Sequence, residues 1–224
     1  MNAGRRAGAH RAAVLLALVL GAAPGCAQGS GDATAADTAG PAGAAPAEVG
    51  ELEPLVVDAV ASGLPRLPDD AITPPAGAKS VADVDGYSDD PARERAVLAG
   101  YGYRFGWERF WGSGTGEGPQ TGVFVDRFER PDGARAYAED LARNEAEHYG
   151  GLLSEGSPDL PAGCWRLVVD EARPEQGLSG PAAFAWCTRG SFSVSVTAIA
   201  GSLDAAGEEV GAVVADQLDR LPGA

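Results

Sequence analysis

Few side chains in this chain could carry nucleophilic or metal chemistry. His148 is the one histidine that follows residue 25, so a Ser-His-Asp or Cys-His arrangement would need it as the base. It falls inside a predicted helix, where a surface histidine is the ordinary case. The ligand sets of zinc and haem sites are missing as well. We therefore expect no catalytic residue, no metal site and no cofactor, and we do not expect an enzyme.

Acidic residues leave one enzymatic alternative open. Asp126 with Glu129, or Asp170 with Glu171, could serve as the carboxylate pair of a hydrolase if two carboxyls converged in a pocket. Their spacing does not require it. The acidic stretch from residue 83 to 94 matches three positions of a calcium loop but lacks the fifth-position oxygen ligand and the sixth-position glycine. We interpret that stretch as a solvated acidic turn.

Residues 101 to 111, YGYRFGWERFW, place large aromatic side chains at alternate positions. Strict alternation predicts a β-strand with one aromatic face. Packing in the core is one interpretation of this face, and a protein interface is another. The third is a ligand groove, in which the rings form apolar walls with polar tips and Arg109 orients an anionic or hydroxyl-bearing group. The candidate ligand-binding residues of that groove are Tyr101, Tyr103, Trp107, Arg109 and Trp111.

The segments after this strand predict an α+β domain. The first half has the order β-β-α and the second half β-β-β-α, which predicts a single domain with an antiparallel sheet of about five or more strands and helices packed on it. Further strands are predicted at 123–129, 164–171, 182–188 and 192–200, and helices at 131–149 and 204–221. The glycine-rich loop between the first two strands is interpreted as a hairpin connection.

Upstream of the aromatic strand the pattern is weaker. Pro54 to Gly63 has the apolar spacing of a short helix that ends at a glycine. A long proline-rich loop follows, and Pro91 to Ala99 predicts another helical turn or two. These pieces complete a predicted extracytoplasmic domain of residues 50–224.

The cysteines link two of the predicted strands. If 164–171 and 182–188 are antiparallel neighbours with Cys164 opposite Cys187, the large apolar residues of both strands share one face. The cysteines then lie on the other face with small alanines. We therefore predict a disulfide between Cys164 and Cys187.

The same alternation tests the turn that follows residue 188. A two-residue turn would put Phe192 on the cysteine face, whereas a three-residue bulged turn with Gly190 left-handed would put it on the opposite face. We predict the bulged turn.

The first 25 residues have the three regions of an export signal. Arginines without an acid precede an apolar run from Ala12 to Ala23, and small residues follow. About a dozen apolar residues are too few to span a hydrocarbon core of ~30 Å, so a permanent membrane helix is not expected. Residues 1–25 are predicted to be a signal peptide.

The end of this signal, Ala23-Pro24-Gly25-Cys26, resembles the lipobox of bacterial lipoproteins. The resemblance implies cleavage before Cys26 and attachment of a lipid to it. Residues 26–49 are then the lipidated cysteine and a disordered tether, because residues 27 to 48 contain no aromatic or large aliphatic side chain that could form a core. The expected location is extracytoplasmic, anchored to the outer face of the cell membrane.

Charge restricts the partners of the mature chain. Removal of the signal takes away three arginines and no acid, which leaves 14 basic and 32 acidic residues. Such a surface repels nucleic-acid phosphates and anionic headgroups, so nucleic-acid binding is excluded. The expected partners are the membrane, through the lipid anchor, and either a small envelope ligand or an envelope protein.

Three stretches of the C-terminal half carry a family resemblance: PAGC at 161–164, WCTRGSFSVSVTAIA at 186–200 and DQLDRLP at 216–222. With them, residues from about 100 to 222 resemble the extracytoplasmic sensor-domain lipoproteins of actinobacteria, which are similar in pattern to the extracellular domain of a mycobacterial receptor serine/threonine kinase. The resemblance implies a sheet with helices around a ligand-binding cleft. The expected function is therefore non-enzymatic binding or sensing of a small envelope-derived ligand. Docking of an envelope protein is the alternative, and a carboxylate-based hydrolase is the third candidate.

Overall fold

The computed structural model describes residues 45–114 and 116–223. The predicted signal peptide, Cys26 with its lipid, and the tether up to residue 44 lie outside the described residues and stay predictions. Within the described ranges, no helix combines the length and the hydrophobicity that a membrane span needs.

Seven strands, four α-helices and several short 3-10 turns form the described part of the chain. In chain order the strands and α-helices are β1 (Gly77–Lys79), α1 (Val81–Asp85), α2 (Pro91–Tyr101), β2 (Tyr103–Gly112), β3 (Gln120–Phe128), α3 (Pro131–Tyr149), β4 (Leu152–Glu155), β5 (Trp165–Val169), β6 (Ala182–Arg189), β7 (Phe192–Ile199) and α4 (Leu203–Arg220). The helix predicted at 131–149 is confirmed at both ends, and the terminal helix is shifted by one residue.

All seven strands join one antiparallel sheet in the order β1-β2-β3-β7-β6-β5-β4. β2–β3, β4–β5 and β6–β7 are hairpins, and the pairing of β3 with β7 joins the two halves of the chain. The predicted fold class, a single α+β domain with an antiparallel sheet and packed helices, is confirmed. The edge strands β1 and β4 were not predicted, since three and four residues are too short to show a period.

Both faces of the sheet are covered, because the central strands carry apolar side chains in both directions. One face carries both cysteines and packs against α4 and the segment from residue 49 to 64. We call it the disulfide face. The opposite face packs against α2 and α3, and we call it the carboxyl face after the buried acids described below. The fold therefore has three layers, with the sheet in the middle, and residues 45–223 contain both hydrophobic cores.

β5 and β6 pair in the predicted register, with Trp165 opposite Trp186. Cys164 and Cys187 therefore meet with their Cα atoms 4.4 Å apart and form the predicted disulfide. As predicted, small alanines of β6 accompany the cysteines, and the large rings of β6 point to the other face.

The bulged turn predicted between β6 and β7 is wrong. Arg189 pairs directly with Phe192, so Gly190 and Ser191 form a two-residue turn in which Gly190 has a φ of 55°. This register puts the apolar alternation of β7 on the disulfide face, where α4 covers it. The alternation of β7 would suit burial on either face, so the sequence did not distinguish the two turns.

The short helix predicted after Pro54 is also wrong. The chain makes two 3-10 turns between residues 49 and 55 instead of an α-helix. Gln217 of α4 binds this segment: its Nε2 donates to the carbonyl of Leu55 at 2.9 Å, and its Oε1 accepts from the N–H of Val57 at 3.0 Å. Tertiary hydrogen bonds thus satisfy backbone groups that a helix would have paired internally.

Candidate functional site

The aromatic strand does not keep a single face. α2 continues to Tyr101, and Gly102, with a φ of 74°, ends that helix. The pairing of β2 with β3 then shifts between Tyr103 and Phe105 at a β-bulge. The bulge leaves Tyr103 in the core of the carboxyl face, whereas Trp107 lies in the core of the disulfide face. The predicted alternation is therefore wrong at its start.

Three of the five candidate groove residues are buried in the disulfide face. Trp107 and Trp111 are 8% and 1% exposed and pack in the same cluster as α4. Arg109 is 3% exposed, and its Nη1 donates to the carbonyls of Val56 and Val57 at 2.9 and 2.8 Å. Burial lowers the pKa of Arg109. Its guanidinium binds the N-terminal segment, so these positions favour core packing over a ligand groove.

Tyr101 and Tyr103 also have partners within the protein. The ring of Tyr101 packs edge-on against Tyr137 of α3, with centroids 5.6 Å apart, and its hydroxyl donates to Asp140. Tyr103 is 5% exposed and packs against Phe128 at 5.5 Å. The five candidate residues therefore divide between two cores and do not line one surface.

The carboxyl groups that approach each other are not the predicted pairs. Asp126 is 9% exposed on the carboxyl face, and the nearby carboxylate that raises its pKa is Glu108 of β2. Glu129 follows β3 at the surface. Asp170 and Glu171 follow β5 and are exposed. The carboxylate pairs suggested for a hydrolase are therefore not assembled in a pocket.

A compact polar network surrounds Glu108. Lys79 Nζ lies 3.2 Å from a carboxyl oxygen of Glu108, and the Tyr87 hydroxyl donates to the same carboxyl at 3.0 Å. Lys79 is 4% exposed and also donates to the carbonyl of Pro75. Burial raises the pKa of Glu108, whereas Lys79 and Tyr87 act in the opposite direction. This ion pair therefore has the additional hydrogen bonds that a buried charge pair requires.

Asp126 lacks such a cation among the described residues. Its carboxyl lies over Gly106 of β2 beside the Tyr103 hydroxyl, and a Cβ at position 106 would collide with both groups. Burial, reinforced by the charge of Glu108, raises the pKa of Asp126 to about 7. Ser193, opposite Asp126 on β7, is 0% exposed, and its hydroxyl has no partner in the described part of the chain. A carboxyl that titrates near neutral pH thus lies inside the protein.

The acidic stretch interpreted as a solvated turn is partly helical. Ser80 and Asp83 form a reciprocal capping box at the start of α1, and Asp85 forms an ion pair with Arg95 at 2.7 Å. Across residues 45–114 and 116–223, no group of three or more acidic, histidine or cysteine side chains is placed to hold a metal ion. His148 is exposed near the end of α3.

A cleft of about 490 Å³ opens at the end of the sheet where β2 begins and β3 ends. Residues 45–47, at the end of the predicted tether, form one wall, so we call it the tether-end cleft. Its other lining residues are Arg104, Phe105, Arg127, Phe128 and Glu129. Guanidinium groups beside aromatic rings suit a small anionic molecule with an apolar part.

Arg127 supplies a half-buried positive charge to the tether-end cleft. It continues the apolar alternation of β3, and its guanidinium lies 5.3 Å from the ring centroid of Phe192. Burial lowers the pKa of Arg127, and the charge of Arg104 lowers it further. Its Nη1 lies 3.5 Å from the carbonyl of Ser191, while its Nε has no hydrogen-bond partner among the described residues. The sequence signal for this site is an arginine at the next position of the apolar alternation Val123, Val125 of a predicted strand.

A second, smaller cleft of about 270 Å³ lies at the opposite end of the sheet. Its lining residues come from 118–119, 179–181 and 199–201, and all of them are uncharged. This cleft offers backbone groups and small apolar surfaces but no charge to orient a ligand. The tether-end cleft is therefore the candidate functional site.

The protein is a three-layered α+β domain with an antiparallel sheet, and an arginine-lined cleft opens at one end of that sheet. Among solved structures, the chain is similar to the extracellular domain of PknH from Mycobacterium tuberculosis, at 18% identity and a TM-score of 0.41, over 56% of this chain and 68% of that domain. No family model and no curated protein matches the chain. The resemblance to sensor-domain lipoproteins stays a prediction from the sequence.

Proposed function

We propose that this chain is a lipid-anchored extracytoplasmic module that binds a small envelope-derived ligand in the tether-end cleft and catalyses no reaction. The observation that carries the proposal is the convergence of Arg104 and Arg127 at a cleft of about 490 Å³. Binding sites for small molecules have this size and combine apolar walls with a few charged groups. The buried aromatic strand does not offer such a surface, so the binding site moves from the predicted groove to the cleft.

Two observations support the extracytoplasmic part of the proposal. The first 26 residues have the pattern of an export signal with a lipobox-like end. The Cys164–Cys187 disulfide needs an oxidising compartment to form and persist.

Native mass spectrometry with lipid and metabolite extraction tests the proposal. The sample is residues 27–224, which contain the whole described fold, expressed in an exporting host with the disulfide formed. We expect a bound small molecule that is lost in Arg127→Glu and kept in Arg135→Glu. Arg135 is an exposed arginine of α3, on the other side of the sheet, so this control makes the same change of charge. A domain that carries no ligand under gentle conditions, or the same ligand in both variants, would refute the proposal.

Docking of an envelope protein is a second candidate, favoured by one observation at the β4 edge of the sheet. β4 is an edge strand, and its Leu152 is 71% exposed. Edge strands with exposed apolar side chains can accept a strand from another protein. A photo-crosslinker at position 152 tests this function in cells: one specific envelope protein should be captured there and not from position 135. Equal capture at both positions would count against docking.

A further inference from the structure

The charges that line the tether-end cleft do not cancel. Arg104 and Glu129 form a loose ion pair at 3.6 Å, and their side chains are 55% and 52% exposed. No carboxylate of the described residues forms an ion pair with Arg127. The three charged side chains together leave one positive charge, and it lies on the more buried arginine.

This uncompensated charge favours an anion in the cleft. A cation with reduced hydration costs free energy unless an opposite charge or hydrogen-bond acceptors surround it. Arg127 has the weak 3.5 Å contact with one carbonyl, a ring beneath it and a like charge beside it. Its Nε is buried without a partner among the described residues. A guanidinium with free donors binds an oxyanion through parallel hydrogen bonds, which a point charge cannot do.

The apolar part of the cleft lies directly beside these donors. The half-buried Phe105 lines it, and Ala45 and Pro46 form the opposite wall. An ion with a full hydration shell would leave this apolar surface unused. A ligand that fits both parts has an oxyanion joined to an apolar group.

We infer that the ligand of the tether-end cleft is a singly charged oxyanion attached to an apolar group, the chemistry of a phosphodiester headgroup with its acyl chains. The inference rests on the proposed binding function and names the class of ligand for the same site. The remaining surface of the domain is strongly acidic and opposes broad docking on an anionic bilayer. Recognition is therefore local, and the ligand is either a free amphiphile or a single lipid drawn into the cleft.

Short-chain lipids test the inference. Residues 27–224 are titrated by calorimetry with dihexanoyl phosphatidylglycerol and with dihexanoyl phosphatidylcholine, which has the same chains and phosphate but no net charge. We expect the anionic lipid to bind at least about tenfold more tightly, because the net positive charge of the cleft repels the choline cation of the second lipid. Arg104→Ala/Arg127→Ala should lose at least about tenfold in affinity, while Arg135→Ala should bind like the wild type. Arg127→Lys, which keeps the charge but not the fork of donors, should fall between them.

A parallel arm distinguishes the source of the ligand. Binding to phosphatidylglycerol vesicles but not to the short-chain lipid, if lost in the double variant, supports the inference with a bilayer lipid as ligand. Binding to the short-chain lipid supports it with a free amphiphile. Equal affinity for both headgroups, or wild-type affinity in the double variant with an unchanged unfolding midpoint, overturns it. The proposed function survives that result if native mass spectrometry still finds a ligand that depends on Arg127, and fails if it does not.

Discussion

The disulfide face and the carboxyl face of the sheet are both buried, but they accommodate ionisable side chains differently. On the disulfide face, Arg109 binds backbone carbonyls of the N-terminal segment. On the same face, Glu209 accepts hydrogen bonds from the N–H and hydroxyl of Ser62 at 2.7 and 2.6 Å and from the Thr121 hydroxyl at 3.0 Å. These hydrogen bonds hold the segment upstream of β1 against the sheet and α4.

On the carboxyl face, Glu108 has Lys79 and Tyr87 as partners, but the other buried acids lack partners of this quality. Burial raises the pKa of Glu94 and of Glu108, and it raises the pKa of Asp126 and Glu145 to about 7. One layer of this domain thus holds its charges through fixed hydrogen bonds, while the other also holds two acids, Asp126 and Glu145, with pKa values of about 7. We expect the carboxyl face to make the stability of the whole domain depend on pH.

The largest effect on the free energy of unfolding is expected from the titration of Asp126. Its pKa rises from the ordinary 3.8 to about 7 on folding, so the native state binds more protons than the unfolded state between these values. The free energy of unfolding should therefore fall as pH rises from 4 to 7, by up to about 4 kcal/mol for this one group. Asp126→Asn, which cannot ionise, should flatten the curve and be more stable than the wild type at pH 8.

Urea unfolding at pH 5, 6, 7 and 8 measures this slope. Asp70→Asn removes the same charge from an exposed position and should leave the slope unchanged. Glu145→Gln should remove a further part of it, because the Glu145 pKa is raised in the same direction. An Asp126→Asn curve as steep as that of the wild type would contradict the pH-dependent character of the carboxyl face.

A slightly smaller loss of stability is expected from the substitution Arg109→Met on the disulfide face. The methionine keeps most of the apolar stem but leaves two buried carbonyls without their donor, so the free energy of unfolding at pH 7 should fall by about 3 to 4 kcal/mol. Arg93→Met, at an exposed position of α2, should change it by less than about 0.5 kcal/mol. A ligand-binding role for Arg109 would instead give lost binding with unchanged stability.

Removal of the disulfide should have the next largest effect. The bridge joins residues 23 positions apart, and Cys164→Ala/Cys187→Ala should lower the free energy of unfolding by about 3 kcal/mol. Because the bridge lies on the disulfide face, the slope of stability against pH should stay as in the wild type. A flatter slope in this variant would show that the two faces are not independent. Equilibrium unfolding under oxidising conditions at two pH values measures both quantities.

The smallest effect on stability is expected from a substitution of Leu152 in the edge strand β4. This side chain is 71% exposed, so Leu152→Ala should change the free energy of unfolding by less than about 0.5 kcal/mol. Its neighbour Leu153 packs against the carboxyl face, and Leu153→Ala should cost about 1 to 2 kcal/mol. Thermal unfolding of the two variants side by side compares them. A larger loss at position 152 would indicate that β4 is covered in solution.

Regular periodicity predicted most of the fold. The amphipathic pattern located α3 and α4, and alternation located β3, β5, β6 and β7 to within a few residues. The register of β5 and β6 followed from one covalent constraint, because alternate residues of a strand face opposite sides and Cys164 had to meet Cys187. The local periodicity of the sequence and one disulfide were therefore sufficient to predict these elements and the pairing of β5 with β6.

The candidate site required information that no local pattern contains. The bulge after Tyr103 moves that ring to the opposite face, and an unbroken row of aromatic residues conceals it in the sequence. The tether-end cleft joins residues 45–47, Arg104 and Arg127, which are distant in the chain and meet because β2 pairs with β3 and the N-terminal segment runs beneath them. The aromatic face is therefore conspicuous in the sequence, whereas the cleft is not.

The order of residues was enough to determine the cysteine pairing, the fold class and the strongly acidic charge, since each depends on composition or on spacing within one or two elements. The faces on which Tyr103, Phe192 and Arg109 are buried depended on the whole fold. A strand with apolar side chains on both faces can bury either face against a given layer. The helices and segments that pack over the sheet select the orientation with the lower free energy. The same holds for the site, because the pKa of Asp126 and the charge of Arg127 depend on which groups the packed layers leave without partners.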